Sequence, residues 1–156
     1  MASTTILPMD AILEITLLSR EEARDIPQSV LEFPYCWWLR SPGKHVTNVA
    51  TVCYFGCVLT RGHSVTLPNY AVRPALRIKA DCVRNLTIGD VVSCAGKQWQ
   101  YVGNDLILLS GDPLTCMAFN RDADAYEQWD DDEKYEKSDV CRFLQSWLQA
   151  QKRASQ

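Results

Sequence analysis

Nowhere in the 156-residue chain does an apolar run approach the roughly 18 residues of a membrane-spanning helix, so no membrane span is expected. Positive charge is not in excess either: sixteen Lys and Arg against nineteen Asp and Glu leave a net charge of -3. A chain so balanced offers no electrostatic footprint to a phosphate backbone, and nucleic acid is not an expected partner. The opening MASTTILPMDAILEI has no basic segment ahead of its apolar residues and hence no signal-peptide shape, which implies a chain cytoplasmic as synthesised. The seven cysteines form no Cys-x-x-Cys knuckle, and an odd number cannot all pair internally. They read as free thiols of a reducing compartment.

The most local absence lies in the middle of the chain. From His45 to Tyr70, a stretch that includes CYFGCVLTRGHSVTLPNY, there is no Lys, Glu, Gln, Met or Trp. All five types occur on both sides of it. The stretch is rich instead in aromatics, hydroxyls and small apolar residues.

What is present elsewhere is ordinary for a folded protein. Hydrophobic residues make up 47% and charged residues 22%, which argues against extended disorder. A chain of this length fits one domain, spanning 1–156, and buries about two-thirds of the surface its unfolded form exposes. Residues 12–19 read as a buried strand. Ser19 with Glu22 forms a capping box for a short helix that Pro27 ends. Residues 33–43 read as a second strand, with small strands and turns at Gly56, Gly62 and Pro68 after it. Residues 70–78 read as a strand in which Pro74 marks an edge or bulge.

A second block covers 86–152. GDVVSCAGKQWQYVGNDLILLS reads as a three-stranded meander with turns at Ala95-Gly96 and Gly103-Asn104. The acidic run AYEQWDDDEKYEKS has no periodicity and reads as a solvated loop. Ser138 then caps a helix whose Val140, Phe143, Leu144, Trp147 and Leu148 form one apolar stripe. No linker separates this block from the 12–80 half. The fold class is α+β, with many short antiparallel strands and two or more helices.

WWLRSPG (37–43) and VRPALRI (72–78), with Val49, Ala50, Val52, Gly56, Val58, Gly62 and Val65 between them, resemble a domain family of gut bacteria and their phages. That family carries a Trp-Trp-Leu-Arg-Ser-Pro strand and a closing Val-Arg-Pro-Ala-Leu strand. EITLLSREEA is similar to the family's approach to the Trp strand. The later block resembles a segment that comes first in longer members, so the two halves stand in exchanged order. The family resembles C-type-lectin-like folds, among them the variable proteins of diversity-generating retroelements and the formylglycine-generating enzymes. The resemblance implies a C-type-lectin-like domain encoded by a phage or prophage, either cytoplasmic or carried on a phage particle. In the retroelement proteins, template adenines are randomised, which turns Asn codons into codons ending in a pyrimidine. Such codons cannot encode Lys, Glu, Gln, Met or Trp, the set missing from 45–70.

On this reading Ala50, Val52, Val58 and Val65 are inward anchors. Thr51, Cys53, Phe55, Leu59, Thr60, Arg61, His63, Ser64, Thr66 and Asn69 fill the positions between them and face a ligand. His45, Thr47, Asn48, Tyr54, Cys57, Leu67 and Tyr70 complete the expected ligand-binding set. Tyr54-Phe55-Gly56 would form a three-residue hairpin loop with Gly56 in the left-handed conformation. Trp37 and Trp38 are expected in the scaffold. Arg40 and Arg73 are expected to satisfy backbone carbonyls or a carboxylate within it.

Three functions are weighed. The first is a non-enzymatic protein that displays 45–70 to a protein or other macromolecular ligand, with homo-oligomerisation left open. The second is a small intracellular inhibitor or adaptor acting on a host protein. The third is a cysteine or copper oxidase, which the resemblance to the formylglycine-generating enzymes suggests through Cys53 and Cys57. A zinc set of His45, His63, Cys53 and Cys57 has suitable ligand types at a spacing that matches no knuckle. Asn120, Asp122 and Asp124 begin like a calcium loop but meet Ala125 where glycine is needed. The expectation is no catalytic residue, no metal and no cofactor.

Overall fold

Ser19 opens the first helix as its spacing to Glu22 requires. Its side chain accepts the Glu22 backbone N–H, and the Glu22 carboxylate accepts the Ser19 N–H, so two orphan donors are satisfied reciprocally. The computed structural model describes residues 4–156, so residues 1–3 of the opening segment lie outside the description.

The strands are β1 (Thr5–Leu7), β2 (Ile12–Thr16), β3 (Trp37–Pro42), β4 (Asn48–Val52), β5 (Val58–Ser64), β6 (Ala71–Val72), β7 (Ala75–Ile78), β8 (Val91–Cys94), β9 (Lys97–Gly103), β10 (Leu106–Leu109) and β11 (Thr115–Cys116). The helices are α1 (Arg20–Arg24), α2 (Gln28–Leu31), α3 (Ala80–Val83), α4 (Ala123–Gln128), α5 (Lys134–Lys137) and α6 (Asp139–Ala154). The strands form two sheets, one ordered β1-β8-β9-β10-β7-β2 and the other β11-β6-β3-β4-β5. Most pairings are antiparallel, but β1 with β8 and β3 with β6 run parallel. The described chain is therefore mixed α+β. Each sheet draws strands from both the 12–80 and the 86–152 blocks, so the blocks interleave.

Several elements depart from the sequence reading. The strand expected over 70–78 is two strands in different sheets: β6 belongs to the second and β7 to the first. Pro74 is thus neither an edge nor a bulge position. It stands between the two strands, where its missing N–H costs no ladder bond, and its carbonyl accepts the Leu109 N–H. The strand expected over 12–19 ends at Thr16, and the one expected over 33–43 begins only at Trp37. In the meander, Ala95-Gly96 forms the first turn as expected, with both residues at positive φ. The second turn is centred on Asn104-Asp105, one residue later than expected.

The acidic run is the largest departure. It folds into α4 and α5, and it buries Tyr126 and Lys134 while Asp130, Asp131 and Asp132 stay exposed. Lys134 is only 4% exposed. Its ammonium lies 4.7 Å from the Tyr126 ring centroid and 3.4 Å from Asp131. An aromatic face and a carboxylate together make burial of that cation tolerable.

The core explains the strand sequences. Trp37 and Trp38 are consecutive on β3, so they point to opposite faces of the second sheet, and both are wholly buried. Trp37 packs with Leu31, Phe33, Leu39, Ala50, Val52 and Leu108 in one cluster. Trp38 joins Val49, Val72, Phe119 and Tyr126 in the other, which extends to the apolar stripe of α6. A sheet covered on both sides has no need of polar alternation, and β3 accordingly shows none.

Candidate functional site

β4 ends at Val52, β5 starts at Val58, and the two residues pair directly. Cys53 N–H donates to Cys57 O at 2.9 Å, and Gly56 N–H donates to Cys53 O at 2.8 Å. Tyr54-Phe55-Gly56 is therefore a three-residue hairpin loop, and Gly56 takes the left-handed conformation at φ 86°. A Cβ at Gly56 would lie 2.5 Å from the Gln28 carbonyl, so only glycine lets the loop sit this close to α2. Gln28 Nε2 donates to Phe55 O at 3.1 Å, and Phe33 N–H donates to Tyr54 O at 3.3 Å. The tip is fastened by its backbone, while its aromatic side chains stand in solvent. Tyr54 is 52% and Phe55 61% exposed, with their ring centroids 4.3 Å apart.

β5 is the terminal strand of its sheet. Its register against β4 shifts between Val49↔His63 and Thr51↔Leu59, so Thr60-Arg61-Gly62 forms a bulge opposite Ala50. A bulge on an edge discourages pairing with another chain and turns side chains outward. Because the shift is two residues, Leu59 and His63 stay on the face shared by Trp38 and Thr51. There the Thr51 hydroxyl lies 2.9 Å from His63 Nδ1. The His63 and Tyr70 ring centroids are 5.1 Å apart, and Tyr70 stacks on Trp38 at 4.7 Å. Burial pushes the Tyr70 phenol up from its ordinary value, with a smaller contribution from Cys36.

The opposite end of the β4–β5 ladder carries a basic notch. Lys44, His45, Asn48, Arg61 and Gly62 line an open depression of about 540 Å³. Lys44 N–H donates to Arg61 O at 3.0 Å and Gly43 N–H to Asn48 O at 2.9 Å, which ties the 43–48 loop to the bulge. Among the described residues, neither Lys44 nor Arg61 forms an ion pair. The acidic segment supports this loop from beneath. Tyr126 Oη donates to Asn48 O at 3.3 Å, and Lys134 Nζ to Val46 O at 3.4 Å.

The remaining sequence candidates fall around these features. His45, Cys57, Arg61, Thr66 and Asn69 are exposed; Thr47, Asn48, Cys53, Leu59, Thr60, His63, Ser64, Leu67 and Tyr70 are half-buried. Ser64 and Thr66 hydroxyls are 2.9 Å apart. Thr51 is the correction. It is wholly buried between β3 and β5, so it cannot touch a ligand and acts by holding His63. The anchors Val49, Ala50, Val52 and Val65 are wholly buried; Val58 is only half-buried, because it lies on the edge strand. Among the described residues, His45, His63, Cys53 and Cys57 are not gathered into a metal-holding group.

Sequence reasoning missed Lys44 and Gln28, which lie outside the 45–70 window, and Tyr126 and Lys134, which lie in the acidic run. Nothing in the run marks Tyr126 and Lys134 for burial over Tyr135 and Lys137, and Lys among acidic and polar neighbours ordinarily stays in solvent.

The scaffold residues hold this surface from inside. Trp37 Nε1 donates to Leu31 O at 3.2 Å, and Trp38 Nε1 to Met117 O at 2.9 Å. Arg40 Nη1 reaches Leu17 O at 2.6 Å and Glu22 Oε1 at 2.7 Å, meeting both a carbonyl and a carboxylate. Arg73 is 1% exposed and donates to the carbonyls of Leu109, Leu31 and Val30. Its guanidinium lies 4.4 Å from the Phe33 ring centroid and 4.9 Å from that of Trp37.

No helix of the described chain is long and apolar enough to cross a membrane. Comparison with protein-family models, curated proteins and solved structures finds no match to this chain.

Proposed function

We propose that the chain is a non-enzymatic binding protein whose C-type-lectin-like scaffold, from a phage or prophage, presents residues 45–70 to a protein or other macromolecular ligand. The observation that carries this reading is the separation within that stretch. Val49, Ala50, Val52 and Val65 are wholly buried, while Tyr54, Phe55, Arg61, Thr66 and Asn69 between and beyond them are exposed. A frame with fixed inward anchors tolerates change at its outward positions without losing its core. Aromatic side chains on a backbone-fastened loop, with an Arg on the β5 bulge, are also the groups that dominate binding energy at interfaces. The missing residue set between His45 and Tyr70 supports diversification by template randomisation.

Two experiments test the proposal. Sequencing the gene across related strains should show substitutions concentrated at the outward positions, with a near-repeat template nearby; substitutions spread evenly over the chain would end the diversification argument. Binding to a captured ligand should be lost in a Tyr54→Ala, Phe55→Ala, Arg61→Ala variant that remains folded.

The inhibitor or adaptor reading draws on a different observation: Asp130, Asp131 and Asp132 project as one exposed acidic run between α4 and α5. Loss of capture only when those three become Asn would favour it over the hairpin surface.

A further inference from the structure

The hairpin that carries Tyr54 and Phe55 is closed at its base by two cysteines. Cys53 and Cys57 continue the register of Val52↔Val58 outward, and are therefore directly opposed across the ladder. Opposed residues in an antiparallel pair have Cα atoms about 4.5–5.5 Å apart. That lies inside the roughly 4.4–6.8 Å that a disulfide spans. Cys57 N–H also donates to Cys53 Sγ at 3.4 Å, which draws the first sulfur towards the second residue.

The two thiols are chemically unequal. Burial works to raise the Cys53 thiol, but backbone N–H groups of Cys57 and Phe55 and the Cys57 thiol outweigh it, so Cys53 ionises below the ordinary thiol range. Cys57 is shifted the other way, by its hydrogen bond to Cys53 and by the charge that Cys53 carries. Cys57 is open to solvent and Cys53 is half-buried beside it. The buried Cys94 and Cys141 are pushed up by burial, Cys94 to about 11, and so is the half-buried Cys116. A thiolate is the reactive form, so Cys53, held below the ordinary thiol range beside the exposed Cys57, is better placed to react than those three thiols.

We propose that Cys53 and Cys57 form a redox-active dithiol that reacts with low-molecular-weight disulfides, with Cys53 as the attacking sulfur and Cys57 as the resolving one. In the first step the Cys53 thiolate attacks one sulfur of a disulfide RSSR, forms the mixed disulfide Cys53–S–SR and expels RS⁻. Cys57 then gives up its proton, its thiolate attacks Cys53 Sγ, and the second RS⁻ leaves. The balance is dithiol plus RSSR to protein disulfide plus two RSH; the protein loses two electrons and the small disulfide gains them. The product ring encloses Tyr54, Phe55 and Gly56, the part of the surface already fastened by Gln28 and Phe33. This chemistry does not depend on the binding function proposed above.

The test uses the full reduced chain and glutathione disulfide as the probe, followed by intact-mass and peptide mass spectrometry. The wild type should lose two hydrogens and yield a peptide cross-linked between Cys53 and Cys57. Cys57→Ser should stop at a single glutathione adduct on Cys53, and Cys53→Ser should react at Cys57 at least tenfold more slowly. Iodoacetamide labelling of the unmodified chain gives a check free of substitutions, with Cys53 expected to be labelled first. A wild type that stops at the mixed disulfide, or a Cys53→Ser variant as fast as Cys57→Ser, overturns the proposal. So does labelling of Cys36 or Cys82 ahead of Cys53.

Discussion

The Thr51 hydroxyl, wholly buried, lies 2.9 Å from Nδ1 of the half-exposed His63. A hydroxyl fixed inside the sheet thus sets the angle of an imidazole on its surface, and the same imidazole leans on Tyr70, which stacks on Trp38. Order passes outward from core tryptophan to displayed ring. Thr51→Val keeps the shape and removes the bond. Because His63 can turn to water, the cost in unfolding free energy should be about 1 kcal/mol. The larger effect should be on the ring itself, with its nitrogen chemical shifts moving towards those of a free imidazole. Unchanged shifts in the variant would show that the hydroxyl does not position His63.

Gly62 tests the bulge that turns β5 outward. It sits at φ 74°, and a Cβ there would overlap the Val49 carbonyl oxygen, a clash with backbone that no rotamer relieves. Gly96, at φ 73°, has open space around its Cα. Both glycine-to-alanine changes bring left-handed strain of about 1–2 kcal/mol. Gly62→Ala must also push β5 off β4, so its destabilisation in urea unfolding should exceed that of Gly96→Ala by 2 kcal/mol or more (~, by analogy with overpacked cores). Equal midpoints for the two variants would mean the bulge is free to move.

The contrast between what the chain announces and what it conceals follows from the range of the interactions. The Ser19–Glu22 box, the Tyr54-Phe55-Gly56 loop and the α6 stripe from Val140 to Leu148 are decided within one or two turns of chain. Their residues name them directly. The splitting of 70–78 between two sheets is not local. Ala71 and Val72 look like the same strand as Ala75–Ile78 until Pro74 is placed between partners drawn from residues 36–37, 114–117 and 105–109. The burial of Lys134 and Tyr126 is likewise concealed, because their partners at Val46 and Asn48 lie far away in sequence. Thr51 shows the same limit within the candidate site. Alternation along β4 places it on the face opposite Ala50, and only the covering of both sheet faces makes that face interior.

Arg73 makes a prediction about cost. From the connection between β6 and β7, its three hydrogen bonds reach the carbonyls of Leu109, Leu31 and Val30, none of them near it in sequence. Arg73→Met fills much of the volume but takes the guanidinium donor from the Leu109 and Val30 carbonyls, at about 1–3 kcal/mol for each that stays dry, while Leu31 O keeps its bond from Trp37 Nε1. The variant should lose several kcal/mol (~3 or more) and express largely as insoluble protein. Arg73→Lys keeps the charge but not the planar fork, so it should fall between Met and wild type. A soluble Arg73→Met chain with an unchanged unfolding midpoint would show that water replaces the guanidinium.

Glu22 predicts how stability responds to acid. Its carboxylate accepts the Ser19 N–H at 2.8 Å and Arg40 Nη1 at 2.7 Å. Burial works to raise its pKa, but the Ser19 and Arg40 bonds outweigh that, and the group titrates below the ordinary 4.5. A folded-state value below the unfolded one means that the carboxylate favours the native chain above the ordinary range. That contribution is lost as pH falls below 4.5 and through the folded value. Asp139, held low against its own burial by the Arg121 N–H and the Arg142 side chain, acts in the same direction, so total acid stability does not isolate Glu22. The difference between wild type and Glu22→Gln does. It should be about 1 kcal/mol in favour of wild type near neutral pH, because Gln keeps an oxygen to accept the Ser19 N–H and loses only the charge that strengthens the Arg40 bond. It should then narrow steadily as the pH drops below 4.5, because the protonated carboxyl resembles the amide. A difference that stays constant from neutral to acid pH would mean the Glu22 charge contributes nothing, and that the capping box acts through its geometry alone.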